Sequence, residues 1–265
     1  MILSKTLAAV LLAAGIAWAA PAAALDLIAL TARNQLVLLT DSAPSRTRIV
    51  DITGVDTKVL GIDIRPADLA LYAVTASGAI YTIDPESGAA TLKSKISERL
   101  EAVDNLVVDF NPQADRLRVM ASNGQNLRVN VETGAAIVDG RLAYAAGDRN
   151  AGKTTGVLAG AYINAYKGTK YTQLFDVDSL HGIYAVQDPP NDGVLKSVGP
   201  TGLAPGTTVE AIDIHTDPQD EYHGFAVAGR ELYRLDVARG GLARIGRIAS
   251  GGGAVIDIAA PVVNR

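Results

Sequence analysis

Residues 64–90 read IRPADLALYAVTASGAIYTIDPESGAA, and residues 110–136 read FNPQADRLRVMASNGQNLRVNVETGAA. The two stretches align without a gap, matching Pro66 with Pro112, Leu71 with Leu117, Gly78 with Gly124 and Gly88 with Gly134. A repeat of this length implies stacked copies of one structural unit. In the first copy Leu71–Val74 is short and β-prone and ends in the turn Ala76-Ser77-Gly78. Ile80–Ile83 follows and ends in Asp84-Pro85-Glu86-Ser87-Gly88. Gly supplies the positive φ of tight turns, and Asp and Ser close local turn hydrogen bonds. Runs this short and this densely punctuated read as strands rather than helices.

Each copy opens on a further apolar strand, Gly61-Ile62-Asp63-Ile64 in one and Val107-Val108-Asp109-Phe110 in the other. The same opening recurs at Ala211-Ile212-Asp213-Ile214 and at Val255-Ile256-Asp257-Ile258, the last with no hairpin after it. The complementary hairpin stands near the other terminus. Leu27–Leu30, Asn34–Leu39 and Thr47–Val50 are strand-like and lack an opening strand. Pairing the last strand with the first ones removes the open sheet edges. A degenerate unit, Val157–Tyr166, Gln173–Val177 and Gly182–Val186, fills the gap between the second and third clear copies. A four-stranded unit over roughly 40–50 residues is a propeller blade. The sequence therefore predicts an all-β chain folded as a single β-propeller of five four-stranded blades, closed between its N- and C-terminal strands. Six blades result if Ser94–Asn105 or Arg141–Gly156 hides extra strands.

Lys5 is the only charge before Asp26, Leu7–Ala20 is apolar, and Ala22-Ala23-Ala24 offers a small-residue cleavage site. Residues 1–24 therefore read as a secretory signal peptide and residues 25–265 as one propeller domain in the periplasm or outside the cell. The chain contains no Cys, which excludes a lipid anchor, disulfides and thiolate metal sites. The formal net charge of −4 with no basic block argues against nucleic acid as a partner. No second apolar span follows residue 24, so no membrane span is expected in the mature chain, and a monomer is expected.

Four patterns are candidates for chemistry. Gly147-Asp148-Arg149-Asn150-Ala151-Gly152-Lys153-Thr154 matches the phosphate-loop pattern letter for letter. That loop works between a buried strand and a helix. Here a weak strand precedes it and a β unit follows, which argues against nucleotide. Asp63, Asp109, Asp213 and Asp257 each sit between apolar residues on an opening strand, facing away from them. On the innermost strands they could ring the channel and bind a hard cation such as Ca²⁺. Equally, each could accept hydrogen bonds from a neighbouring blade's backbone or pair with an Arg. Arg116, Arg118 and Arg128 replace Ala70, Tyr72 and Thr82 of the other copy. Such a blade-specific cluster could bind an anionic ligand, or, if buried, pair with Asp109 or Asp115. His181, His215 and His223 show no zinc-site spacing, and there is no GxSxG nucleophile motif.

The stretch Phe110-Asn111-Pro112, Asp115–Val119 and Gly124–Asn130, with Gly147-Asp148, Asn150-Ala151-Gly152 and Pro189–Gly193, resembles the bacterial family of domain of unknown function 4394 (DUF4394). The resemblance covers most of the chain after the signal peptide. It implies exported, propeller-like proteins with no established activity and no catalytic residues to carry over. Lys153 is not part of that motif. More loosely, the blades are similar to secreted propellers of the lactonase and surface-antigen type, although no lactonase ligand set is present. The leading expectation is an exported, non-enzymatic module that binds a protein or small molecule through loops at one end of its channel. The alternative is a metal-dependent hydrolase, lactonase-like, with Ca²⁺ in the Asp ring.

Overall fold

The structure, a computed structural model, describes residues 24–101 and 105–265, so all of the expected signal peptide but Ala24 lies outside the described residues. The described chain forms 21 strands and one short 3₁₀ helix at Pro190–Asp192. The first sheet holds β1 (Asp26–Thr31), β2 (Gln35–Thr40) and β3 (Arg48–Asp51), with the last strand β21 (Val255–Ala259) on its inner side. The second sheet is β4 (Val59–Ile64), β5 (Leu71–Thr75), β6 (Ala79–Ile83) and β7 (Ala90–Lys95). The third is β8 (Leu106–Asn111), β9 (Arg116–Ala121), β10 (Asn126–Val129) and β11 (Ala136–Val138). The fourth runs β13 (Val157–Tyr162), β14 (Leu174–Asp178), β15 (Ile183–Gln187) and β16 (Val194–Pro200), with β12 (Ala143–Tyr144) outermost. The fifth is β17 (Ala211–Thr216), β18 (Tyr222–Ala228), β19 (Glu231–Leu235) and β20 (Leu242–Arg247).

The inner strands β21, β4, β8, β13 and β17 touch in that order, and β17 meets β21 again. This is a five-bladed β-propeller. Strand β21 pairs antiparallel with β1, setting Leu30 opposite Asp257 and Ala29 opposite Ile258, so the two ends of the chain share one blade as the sequence predicts. The sixth blade is not formed. From Arg141–Gly156 only β12 emerges, and it runs parallel to β16 as a fifth strand of the fourth blade. Residues 94–101 carry only the end of β7.

Apolar side chains fill the seams between blades, because each sheet is covered on both faces. Five separate clusters occupy five seams. The seam of the second and third blades is built around Leu60, Tyr72, Val108, Phe110, Leu117 and Leu127. The repeat's matched glycines have a steric origin. Gly88 and Gly134 lie at φ +74° and +76°, and a Cβ there would stand 2.0 Å from the Asp51 carbonyl oxygen and 1.9 Å from that of Lys95. Each lets one blade's last turn lie against the backbone of the blade before it.

Candidate functional site

Asp63, Asp109, Asp213 and Asp257 sit on β4, β8, β17 and β21, all buried. Each accepts a backbone N–H from another inner strand or the segment just after one. Asp257 Oδ2 takes Ile62 N at 2.7 Å, Asp63 Oδ2 takes Phe110 N at 2.6 Å, and Asp109 Oδ1 takes Tyr162 N at 3.0 Å. Asp213 Oδ2 takes Ala260 N at 2.5 Å. The carboxylates thus staple neighbouring blades across the channel, and β13 of the fourth blade is the one inner strand without an Asp. One oxygen each from Asp63, Asp109 and Asp213 also lie within 4.8 Å of one another. Burial first, and the neighbouring carboxylates second, hold Asp63 and Asp109 well above the ordinary carboxylate range. Burial likewise raises Asp213 and Asp257. Like charges this close in a low-dielectric setting must share protons or a cation.

The arginine cluster does not converge on one open site. Arg118 is fully buried and spends its guanidinium inside the protein. Nε donates to Tyr162 Oη at 3.2 Å, Nη1 to Asn126 Oδ1 at 2.7 Å and Asp139 Oδ2 at 2.6 Å, and Nη2 to Asn191 Oδ1 at 2.9 Å. Arg128 forms a two-pronged pair with the same Asp139, at 2.7 and 2.9 Å. Arg116 donates to the carbonyl oxygens of Ala114 and Asp115. The partner expected from sequence is corrected here. The acid is Asp139, at the end of the third blade's hairpin, while Asp115 is held by Arg65 at 2.8 and 2.7 Å. Asn126 also donates to the carbonyls of Gly140 and Pro190. The stretches quoted for the family resemblance therefore meet: Arg118, Asn126 and the Pro189–Gly193 loop form one network across the seam of the third and fourth blades.

A second carboxyl in that seam has no such partner. Asp176 on β14 is completely buried, and neither oxygen has a hydrogen-bond partner among the described residues. Burial pushes it up to about 8, against the opposing pull of the Arg118 charge. It faces Gly160 on β13, where a Cβ would come within 2.5 Å of Asp176 Oδ1 and 3.1 Å of Val107. The phosphate-loop lookalike is a chain of turns with no helix after it. Lys153 Nζ donates to Asn150 Oδ1 and Asn150 Nδ2 to Ser197, so its polar groups tie the loop to β16.

The site that sequence reasoning missed lies between the first and fifth blades. A pocket of about 550 Å³ there is lined by His215, Asp217, His223, Arg234, Asp41 and the start of the described chain. His215 and His223 stand directly opposite each other on β17 and β18, their rings 5.8 Å apart. The turn between them is closed by Asp217, whose Oδ1 accepts from Gln219 N and Glu221 N and whose Oδ2 lies 3.0 Å from His223 Nε2. His215 Nδ1 donates to the Pro261 carbonyl at 2.6 Å, and burial lowers its pKa, so the ring is neutral with its lone pair on Nε2. Arg234 lies over the Phe225 ring at 4.5 Å and donates to Asp41 at 2.8 Å, while its Nη1 is buried without a partner among the described residues. The available signal was symmetry about a turn: two histidines equidistant from the centre of a hairpin become cross-strand neighbours. Asp41, from the opposite end of the chain, carried no such signal.

Among curated proteins none matches the chain in sequence. A solved structure from Bacteroides thetaiotaomicron, of a protein of unknown function, is 15% identical with a TM-score of 0.51. The match covers 90% of this chain but 65% of that one, so the chain spans just under two thirds of its length. Virginiamycin B lyase from Staphylococcus aureus is 8% identical with a TM-score of 0.45, over 82% of this chain and 68% of the lyase. A catalytically inactive variant of that lyase with Quinupristin gives 8% identity and a TM-score of 0.46, over 84% and 69%. At these identities the likeness is one of fold alone. The family model described as domain of unknown function DUF4394 matches residues 35–259, nearly the whole propeller, and the chain belongs to that family.

Proposed function

We propose that this chain is an exported binding propeller that holds a small molecule or a protein segment in the pocket between its first and fifth blades, without covalent chemistry. The observation that carries the reading is the set of unspent polar groups there: Arg234, whose buried Nη1 has no partner among the described residues, and His215, whose hydrogen bond uses only Nδ1, both line a concave site. A few convergent polar groups in a preformed cleft characterise a ligand site. The three histidines bond to carbonyls or a carboxylate rather than to a hydroxyl that could serve as nucleophile. Export rests on the composition of residues 1–24. Cell fractionation of the full chain, beside a version starting at Leu25, tests it, and an unchanged distribution would remove that part of the reading.

The binding reading is tested by screening the purified mature protein for ligands by thermal shift, with Arg234→Met alongside. Shifts of the parent protein that Arg234→Met loses are expected. Shifts indifferent to Arg234, or turnover of lactones or esters at enzymatic rates, would overturn it. A second reading, Ca²⁺ in the channel, draws support from the convergent oxygens of Asp63, Asp109 and Asp213. A native-state ligand must raise stability, so melting with and without chelator decides it. An unchanged curve and a metal-free elemental analysis would sink the calcium site.

A further inference from the structure

We infer that the turn between β17 and β18, at the edge of the pocket between the first and fifth blades, is a site for a divalent transition metal of the Zn²⁺ class, held by His223, Asp217 and Glu221, with His215 beside His223 across the hairpin. The inference rests on the pocket reading and names what the pocket takes. Ligand atoms of Asp217, Glu221 and His223 all lie within 4.8 Å of one another. The Asp217 Oδ2–His223 Nε2 separation of 3.0 Å is close to the edge of about 3.3 Å expected between two ligands on one tetrahedral ion at about 2.0 Å. A mixed set of imidazole and carboxylate suits Zn²⁺ and its neighbours rather than Ca²⁺ or Mg²⁺, which prefer oxygen alone.

The independent observation is His215. It is 6% exposed, lines the pocket, and offers Nε2 with no hydrogen bond among the described residues. Its Nδ1–H is spent on the Pro261 carbonyl. That is the arrangement that orients a metal-binding imidazole: the far nitrogen donates to a backbone carbonyl, which fixes the tautomer and presents the lone pair. Charge agrees with a cation. Arg234 is neutralised by Asp41, and Arg265 bonds the Asp217 carbonyl and Asp220 rather than the Asp217 carboxylate. Apart from the His223 ring, no cationic side chain pairs with the Asp217 or Glu221 carboxylate among the described residues. The turn is built to present them, since Asp217 Oδ1 is held by two backbone N–H groups while Oδ2 faces His223.

The test uses the untagged mature protein and the metal alone. Calorimetric titration with Zn²⁺ should show one saturable site per chain. Roughly tenfold or greater weakening is expected in His223→Gln and in Asp217→Asn, and no change in His181→Ala, a histidine remote from the pocket. Titration with Co²⁺ should give the intense visible bands of a tetrahedral nitrogen- and oxygen-ligated ion. This readout on the parent protein stands even if a variant fails to fold. Absence of saturable Zn²⁺ binding, Zn²⁺ bound no more tightly than Ca²⁺, binding indifferent to His223→Gln and Asp217→Asn, or Co²⁺ spectra of the octahedral aqua type would each overturn the site. Because no organic ligand is present, a positive titration holds even if the Arg234-dependent ligand shifts are not found. Failure of the titration leaves those shifts to stand on their own.

Discussion

The seam between the second and third blades and the seam between the third and fourth are built from the same repeat, yet one is apolar and the other polar. Tyr72 and Arg118 occupy the same place in the two copies. Each reaches across to an aromatic ring on the next inner strand. Tyr72 meets Phe110 edge-on, with ring centroids 5.2 Å apart, and Arg118 donates to the Tyr162 hydroxyl. In the first of these seams charge is kept to the rim, where Arg65 pairs with Asp115 and Glu132, both half-exposed. In the second, charge is at the centre: Arg118 and Asp139 are 1% and 4% exposed, and the unpartnered Asp176 lies nearby. A blade-specific departure from a repeat is thus no sign of a ligand by itself. Here it marks a polar seam, and the candidate ligand site sits in a different seam altogether.

The largest expected effect breaks that contrast directly. Arg118→Met leaves Asp139 buried beside only the half-exposed Arg128, and should cost about 3–5 kcal/mol of stability in urea denaturation. A loss near that of an ordinary apolar substitution would mean the polar seam is no different from its neighbour. Next comes Gly160→Ala, whose Cβ would press on Asp176 and Val107. Overpacking of this kind costs about 1–3 kcal/mol, and a neutral result would show that the fourth blade has slack at its inner strand.

Asp176 should also give the third and fourth blades a pH dependence. Unfolded, the carboxyl loses its proton near 3.8; folded, it keeps it up to about 8. Its contribution is complete below the lower value and is lost as pH rises through the upper one, because the folded state then binds the extra proton. Melting temperature should fall over that interval, and Asp176→Asn should fall less steeply. Parallel profiles for the two proteins would show that Asp176 does not titrate in this window. The smallest effect belongs to the apolar seam. Tyr72→Phe removes hydrogen bonds to Asp68 and Arg65 at the rim while keeping the contact with Phe110. It should cost about 1 kcal/mol, well below Arg118→Met.

The legible parts of the sequence were those with a period. Strand, turn, strand, turn repeated at a fixed spacing, and the Ile-Asp-Ile opening marked each clear inner strand, so five blades and the shared terminal blade could be read. The Asp on those openings was legible as a possible staple to the next blade, and its hydrogen bonds are made to just such backbone N–H groups. The candidate site was not legible. Its residues come from three successive strands of the fifth blade, β17 to β19, with the turn between the first two, and from Asp41 near the other terminus. Histidine spacing was read along the chain, where eight positions separate His215 from His223, whereas a hairpin sets them face to face.

By itself, then, the sequence determined the unit, the number of copies and the way the ring closes, because each depends on local pattern and turn chemistry. Only the tertiary structure decided what lies across each seam. Arg118 finds Asp139 and Asn191, Asp115 finds Arg65, and the pocket joins the two ends of the chain. Those pairings depend on how far each blade is rotated against the next and which turns meet at the rim. That rotation is set by the summed packing of both faces, and no single stretch of residues encodes it.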